Sequence, residues 1–399
     1  MATAALDRPE ASTPIKVIDA DTHITEPHDL WIKRAPAVIR DRVPQVREIN
    51  GTRSWVIDGD QCIGFNAHPN SAILKNGGKV RVLDDFLKLQ FEDVHPGSSS
   101  IRERLQVMDE TGIYAQIVYP NILGFGGQAA AKVDPALRLA CVQIYNDAMA
   151  EMQEESGGRF LPMALLPWWD VKEAVKETAR CEAMGLRGIN INSDPHTVKD
   201  DNGDYLPDLG HAHWDPLWEV CEGLNLPVNF HIGASEQSID WMGQQGWPSL
   251  PRELRSGLSG SMMFFANSRV MGNIIYSGLL DRFPKIQFVS VESGIGWVPF
   301  LLESLDYQLA EIAEGRHFQK LPSEYFRSNF HACFWFEKED IGHTIRRAGI
   351  DNVLFQTDFP HPTGLYPIEN LEGRLGDLNQ QEKAKVLSGN AAKLYNISI

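Results

Sequence analysis

The feature that most constrains the fold of this chain is a regular alternation of short apolar runs with longer amphipathic stretches. Several of the runs are apolar almost throughout, as expected of strands that are buried on both faces of a parallel sheet. Eight runs have this character: Val17–Ala20, Ala115–Tyr119, Leu161–Leu166, Gly188–Asn192, Val228–His231, Ile286–Val291, Ser328–Cys333 and Val353–Thr357. Each is followed by a stretch with apolar residues at helical spacing, which indicates repeated βα units. The pattern therefore predicts an α/β fold of the (β/α)8 type, a TIM barrel.

The length of 399 residues fits one such barrel, because the fold needs about 250 residues plus insertions. We predict a flexible polar tail at residues 1–14 and a single barrel domain over residues 15–399. Residues 44–98 interrupt the alternation, with short apolar pieces at Ser54–Ile57, Cys62–Phe65 and Val80–Val82 among Gly and Asn turns. We interpret this stretch as a β-arm inserted after the first strand. Residues 233–260, rich in Gly, Ser and Gln, are predicted to form an irregular loop near the active site.

Charge and cysteine content restrict the partners and the compartment. The net charge of −16 argues against a nucleic-acid partner, because binding phosphate requires clustered Lys and Arg. No apolar run approaches the about 20 residues of a membrane span, and residues 1–14 lack the apolar core of a secretory signal. The five cysteines are far apart and include no CxxC pair. We therefore expect a cytoplasmic protein without structural disulfides and without a membrane association.

The end of the first strand carries the first candidate site residues. Side chains at positions i and i+2 of a strand point the same way, so Asp21 and His23 project together. A carboxylate and an imidazole side by side provide half of a divalent-metal site. The alternative is a structural Asp beside a hydrogen-bonded core His. Glu26, three residues further on, could turn back to the metal or form a cap or salt bridge.

Polar residues also follow other apolar strands. His231 ends the fifth strand before a glycine-containing loop, although a lone His at such a position is more often a packed core residue. Asp358 follows the last strand, where it could instead cap a helix, and His361 lies just beyond it. Glu292 ends the sixth strand, where a buried carboxylate needs a metal, an Arg or a proton as its partner. In a barrel these strand ends converge on one pole, so the separate signals reinforce one another.

The whole series of motifs resembles one known group of enzymes. The segments DADTH, FHIG, DRFPKIQFVSVESGIGW, QTDFPH and NAAKLYNI occur in order between Val17 and Ile397, and together they resemble the amidohydrolase-related family, which includes aminocarboxymuconate-semialdehyde decarboxylase. This resemblance implies a (β/α)8 barrel with a divalent ion bound by the first-strand pair, the fifth-strand His and the last-strand Asp. The corresponding residues here are Asp21, His23, His231 and Asp358. The family's decarboxylases use zinc or manganese and often form dimers.

The sequence departs from those decarboxylases at the end of the sixth strand. They carry a His there that acts as acid or base, whereas this chain has Glu292. A carboxylate can serve as a general base when its pKa is suitable, or it can bind a second metal. The departure weakens the assignment to the decarboxylases and leaves the proposed metal ligands unchanged.

The sequence therefore predicts a metal-dependent hydrolase or carbon–carbon lyase (decarboxylase) that acts on a small carboxylated molecule. Zinc is the favoured ion, with manganese or iron as alternatives, and no organic cofactor is predicted. Asp358 would be a ligand and proton acceptor, and Glu292 or His361 would transfer the next proton. The chain is expected to form a homodimer or a heteromeric assembly with a related subunit.

Two alternatives remain at this stage. The carboxylate-rich set suits two iron or manganese ions and resembles the oxygen-activating 2-aminoisobutyric acid hydroxylase subunits; it comprises Asp21, His23, Glu26, His231, Glu292 and Asp358. The second alternative is a non-catalytic structural partner subunit, for which the loss of a ligand would be expected. All four first-choice ligands are present.

Overall fold

The computed structural model describes residues 14–64, 66–244, 247–312 and 318–399. Nearly all of the predicted tail at 1–14, and Phe65 in the predicted arm, lie outside the described residues. Within the described chain the strands are β1 (Val17–His23), β2 (Gln45–Ile49), β3 (Thr52–Ile57), β4 (Gln61–Cys62), β5 (Ile113–Tyr119), β6 (Phe160–Pro162), β7 (Ala164–Leu165), β8 (Ile189–Asn190), β9 (Val228–His231), β10 (Phe288–Val291), β11 (Phe330–Phe334) and β12 (Val353–Phe355).

Helices separate the strands. The α-helices are α1 (Leu30–Arg34), α2 (Leu83–Phe86), α3 (Ile101–Thr111), α4 (Pro135–Glu155), α5 (Val171–Ala183), α6 (Asp215–Leu224), α7 (Glu236–Gln244), α8 (Arg252–Met263), α9 (Ala266–Tyr276), α10 (Leu279–Arg282), α11 (Val298–Ile312), α12 (Pro322–Asn329), α13 (Ile341–Ala348), α14 (Leu371–Arg374), α15 (Gln380–Ala384) and α16 (Asn390–Leu394). Short 3-10 turns lie at Pro96–Ser98, Ala130–Lys132, Pro195–Thr197 and Ala212–Trp214, and a π-helical turn at Lys385–Gly389 joins α15 to α16. No helix in these ranges is long and apolar enough to cross a membrane.

The parallel strands follow one another in chain order. One sheet has the order β1-β5-β6 and another the order β7-β8-β9-β10-β11-β12. Only Met163 separates β6 from β7. Each of the eight predicted runs overlaps an observed parallel strand, so the prediction of a mixed α/β fold is confirmed. Parallel strands aligned in this way place their carboxyl ends at the same edge of the sheet.

Backbone hydrogen bonds also connect the first strand to the segment after the last one. The amide of Asp358 donates to the carbonyl of Asp21 over 2.9 Å, and the amide of His23 donates to the carbonyl of Phe359 over 2.7 Å. These bonds bring the carboxyl end of β1 beside the residues that follow β12.

The strands are buried on both faces, as their apolar composition predicts. In β10, Val289 and Val291 belong to an inner cluster with Ile18 and Ala20 of β1. Phe288 points the opposite way, into the larger core between sheet and helices. Alternation of side chains along a strand accounts for this division. The two faces of β10 therefore pack into two separate clusters.

Segments 44–98 and 233–260 differ in part from the sequence predictions. Strands β2, β3 and β4 form an antiparallel sheet between β1 and α3, and the short apolar piece Val80–Val82 lies outside any strand. The prediction of an irregular loop at 233–260 was wrong, because α7 and much of α8 lie there. The glycines of this segment made the helices hard to predict, because each Gly in a helix costs about 1 kcal/mol relative to Ala and lowers the helix propensity of the segment.

Candidate metal centre

Asp21 and His23 lie side by side at the carboxyl end of β1. Both are fully buried, and Nε2 of His23 is 3.5 Å from Oδ1 of Asp21. The other ring nitrogen of His23, Nδ1, is 3.3 Å from the carbonyl of Pro120. Because a carbonyl only accepts, this contact favours the tautomer with its proton on Nδ1. The lone pair of Nε2 is then directed at Asp21.

His231 and Asp358 complete the group from the ends of β9 and β12. Nε2 of His231 is 3.5 Å from Oδ1 of Asp21, while its Nδ1 is 2.7 Å from the carbonyl of Ile232. Oδ1 of Asp358 is 3.7 Å from Nε2 of His23. Both residues are fully buried. Four side chains from three strand ends therefore lie in one buried group, in which His23 is near both Asp21 and Asp358.

The donor set fits a divalent cation. The four facing atoms are buried and have no hydrogen-bond partner in the described parts of the chain: Asp21 Oδ1, His23 Nε2, His231 Nε2 and Asp358 Oδ1. Three separations among these atoms, from His23 to Asp21, from His23 to Asp358 and from His231 to Asp21, are 3.5–3.7 Å, close to the about 3.4 Å expected between ligand atoms that are each about 2.1 Å from one tetrahedral ion. Buried polar atoms without partners are costly, and a bound cation would satisfy all four.

Glu292 and His361 border this group on one side. Oε2 of Glu292 is 3.4 Å from Nε2 of His231. Nδ1 of His361 approaches Oδ1 of Asp358 to 2.9 Å without the angles of a hydrogen bond, and its ring stacks on that of His23 at 3.8 Å. Two overlapping sets of potential ligands result: the first is Asp21, His23, His231 and Glu292, and the second is His23, Glu292, Asp358 and His361.

Glu26 is buried nearby but does not join either set. Its Oε1 accepts hydrogen bonds from the backbone amides of Asn121, over 2.8 Å, and Ile122, over 3.1 Å. Oδ1 of Asn121 in turn lies 3.0 Å from Nε2 of His361. The geometry thus connects Glu26 to the centre through Asn121 and His361, whereas the sequence left open a direct ligand, a cap or a salt bridge.

The sequence did not predict several residues that contact the candidate ligands. Gln356 donates to Oδ2 of Asp21 over 2.9 Å and accepts from the amide of Glu292 over 3.1 Å, and Thr363 donates to Oδ2 of Asp358 over 2.9 Å. The ring of Phe125 lies 4.9 Å from that of His23 and makes the centre apolar on that side. For Gln356 a signal existed, because it precedes Asp358 by two positions at a strand end.

Burial sets the electrostatics of the centre. Burial raises the pKa of Asp21, and the nearby charge of Asp358 adds to this increase. Burial, followed by the charges of Asp358 and Asp21, holds the pKa of Glu292 well above its usual range. The pKa of His23 is well below its usual range because of burial and the neighbouring His361 and His231. Without a bound cation, the centre therefore disfavours the ionised forms of its carboxyl and imidazole groups.

A buried cluster of imidazoles and carboxylates at the carboxyl ends of parallel strands is typical of metal-dependent enzymes of mixed α/β fold. Comparison with known proteins identifies the family within that class. The amidohydrolase family matches residues 18–397, and the chain belongs to it. This confirms the resemblance found in the sequence motifs and makes the chain an enzyme of the amidohydrolase superfamily.

Solved structures share the fold over nearly the whole chain. An amidohydrolase from Mycobacterium avium subsp. paratuberculosis K-10 is 24% identical with a TM-score of 0.76, covering 97% of this chain and 100% of its own. The 5-carboxyvanillate decarboxylase from Sphingomonas paucimobilis is 20% identical with a TM-score of 0.62, covering 96% and 100%. A dihydroxybenzoic acid decarboxylase from Polaromonas sp. JS666, solved with bound manganese and the inhibitor 2-nitroresorcinol, is 19% identical with a TM-score of 0.56, covering 96% and 98%.

Proposed function

We propose that this chain is a metal-dependent decarboxylase, a carbon–carbon lyase that removes a carboxyl group from a small organic acid. The observation that carries the proposal is the set of four buried, unpartnered donor atoms on Asp21, His23, His231 and Asp358. We assign these four residues as the ligands of one divalent ion. The similarity to the two decarboxylases supports the choice of reaction.

The identity of the ion is part of the proposal. Zinc was favoured by the sequence, and imidazole and carboxylate ligands accept both zinc and manganese. The manganese in the Polaromonas enzyme makes manganese the first ion to test beside zinc. When bound, the ion would act as a Lewis acid on an oxygen of the substrate.

The protein residues would supply orientation and a proton. As the bond between the carbon skeleton and the carboxylate breaks, carbon dioxide leaves and the electron pair stays on the carbon. Glu292, held 3.4 Å from His231 and with its pKa raised by burial, would donate the proton to that carbon and regain one from solvent. His361, hydrogen-bonded to Asn121, would orient the substrate or transfer the returning proton. Phe125 would exclude water from the reacting atoms.

The second overlapping ligand set favours a second candidate function. Glu292, Asp358 and His361 could hold a second ion beside the first, and two iron or manganese ions would suit an oxygenase subunit. Hydrolysis by a metal-activated water is a further reaction that the same centre can perform. A purely structural partner subunit ranks last, because the complete donor set is present.

Two measurements test the proposal together. We expect about one manganese or zinc per chain by elemental analysis of protein purified without chelator. Metal-loaded protein should then release carbon dioxide from a panel that includes 5-carboxyvanillate and dihydroxybenzoates, with Asp358→Asn as the inactive control. About two ions including iron, together with oxygen consumption, would support the oxygenase instead. Hydrolysis of esters or amides without decarboxylation would favour the hydrolase.

We also infer a closed (β/α)8 barrel and an inserted arm. The bonds between Asp21 and Asp358 and between His23 and Phe359 support closure, and the antiparallel sheet β2-β3-β4 supports an arm at 44–98. A cytoplasmic location and a homodimer, or an assembly with a related subunit, remain predictions. Light scattering of the purified chain, alone and co-expressed with candidate subunits, tests the assembly.

A further inference from the structure

The loop after β12 carries a large part of the metal centre. It contains Asp358, His361 and Thr363, and it folds back tightly because the amide of Leu365 donates to the carbonyl of Thr357 over 2.6 Å. A Cβ atom added at Gly364 would lie 2.6 Å from the carbonyl oxygen of Asp358. The position of the Asp358 carboxylate therefore depends on how this loop, residues 357–364, is held.

A hairpin from the distant segment 71–80 covers the loop. Ile73 pairs with Lys79 across the hairpin, and the amide of Leu74 donates to the carbonyl of Gly78 over 2.8 Å, which closes the turn. The amide of Ala72 donates to the carbonyl of Pro360 over 2.8 Å. Ile73 also packs against Phe359 in a small buried cluster. The hairpin and the loop are thus joined by both polar and apolar contacts.

Lys79 provides the second polar connection. Its Nζ donates a hydrogen bond to the carbonyl of Gly364, and its side chain is half-buried. Within the described chain it forms no salt bridge, although burial lowers its pKa and the charge of Asp358 acts in the opposite direction. Placing an ammonium group against one neutral carbonyl costs desolvation without the return of an ion pair. The hydrogen bond from Lys79 to the carbonyl of Gly364 is therefore the interaction whose function should be tested.

We propose that Lys79 is a positioning residue that holds the 357–364 loop so that Asp358 can bind the metal. The hydrogen bond to Gly364 restrains the far end of the loop, while Thr363 restrains the Asp358 carboxylate itself over 2.9 Å. This inference rests on the proposed role of Asp358 as a ligand. Lys79 would thus act in the metal centre although it lies 279 positions before Asp358 in the chain.

The test measures the binding of manganese to the full-length, metal-depleted protein by calorimetry. We expect Lys79→Met to raise the Kd for Mn²⁺ by about tenfold or more, the range seen when groups that orient metal ligands are removed. Lys79→Arg should recover part of the loss, because it retains a cationic donor. Lys75→Met is the matched control: Lys75 is an exposed lysine of the same hairpin, and its Kd should stay within about twofold of the wild type.

A double-mutant cycle with Thr363→Val separates positioning from general stability. If Lys79 acts through the loop, the effects of Lys79→Met and Thr363→Val on the Kd should be non-additive. A simple loss of stability would lower the thermal midpoint of the metal-free protein and leave the Kd unchanged. If Lys79→Met does not fold, Lys79→Gln replaces it in the same cycle.

The outcomes are distinguishable from those of the proposed function. An unchanged Kd in a folded Lys79 variant, with a weakened Kd in Thr363→Val, overturns the positioning role and leaves the metal centre intact. A wild-type protein that binds neither manganese nor zinc overturns both proposals. Equal weakening in Lys79→Met and Lys75→Met would show that the effect does not depend on the hydrogen bond to Gly364 and would also contradict the inference.

Discussion

The side chain of Gln356 donates a 2.9 Å hydrogen bond to Oδ2 of Asp21, so a residue just after β12 orients a potential ligand at the end of β1. The other carboxylate oxygen of Asp21 then faces His23 and His231. Since Gln356 also accepts from the backbone amide of Glu292 over 3.1 Å, one buried amide connects three strand ends of the centre.

Replacing Gln356 with Ala should weaken the metal centre. The change leaves Oδ2 of Asp21 and the amide of Glu292 without partners in a buried site, which costs about 1–3 kcal/mol per group. We expect a 10–100-fold rise in the Kd for Mn²⁺, measured by calorimetry. The exposed Gln381 offers a matched control, and Gln381→Ala should leave the Kd unchanged. Equal Kd values for Gln356→Ala and the wild type would contradict this role.

The Asp358→Asn substitution should abolish metal binding without lowering the stability of the metal-free protein. The substitution removes one negative charge from a buried cluster that includes Asp21 and Glu292, so the metal-free variant should be at least as thermally stable as the wild type. Mn²⁺ at about 100 times the wild-type Kd should stabilise the wild type by about 2.7 kcal/mol and the variant by almost nothing. Differential scanning fluorimetry with and without Mn²⁺ measures both effects. Stabilisation of the variant by Mn²⁺ equal to that of the wild type would exclude Asp358 as a ligand.

Metal affinity should rise with pH. Burial raises the pKa values of Asp21 and Glu292 in the metal-free fold, so both carboxyl groups hold protons over a range in which free carboxyls are ionised. Binding of a cation to the ligand Asp21 must displace its proton, and the Kd should therefore fall as pH increases from acidic to neutral conditions. Calorimetry at several pH values, in buffers of different ionisation enthalpy, reports the affinity and the protons released. A pH-independent Kd without proton release would disprove the prediction.

Glu26→Gln should affect stability more than metal binding. The structure places Glu26 outside both ligand sets, so the Kd for Mn²⁺ should stay within about threefold of the wild type. Burial raises the pKa of Glu26 from 4.5 to about 7. The folded state then binds more protons than the unfolded state between these values, and stability is lost as pH rises through them, on the order of 3 kcal/mol.

The Gln side chain cannot ionise, so the variant should lose less stability than the wild type between pH 5 and pH 8. Urea unfolding of both metal-free proteins at these two pH values gives the comparison. If Glu26→Gln abolished Mn²⁺ binding while the protein remained folded, Glu26 would be a ligand, as the sequence first suggested.

Local patterns in the sequence predicted the eight parallel strands and the positions of the chemical groups at their ends. Asp21 and His23 could be paired from their i, i+2 spacing alone, because the direction of side chains along a strand is a property of the local backbone. His231 and Asp358 were recognisable as strand-end residues, and the motif series indicated how they combine. By contrast, the helices within 233–260 were missed, because their glycines weaken a signal that packing against the rest of the fold restores.

Only the tertiary structure decided how distant groups meet. It placed Glu292 and His361 beside the candidate ligands, placed Glu26 outside both ligand sets and against the amide of Asn121, and brought Lys79 to the carbonyl of Gly364. Gln356 and Asp21 are 335 positions apart in the chain, and no local preference specifies such a contact. The sequence by itself determines which side chain each strand end presents, because backbone geometry acts over a few residues. The distances between those ends, and thus the arrangement of the centre, depend on the packing of the whole domain.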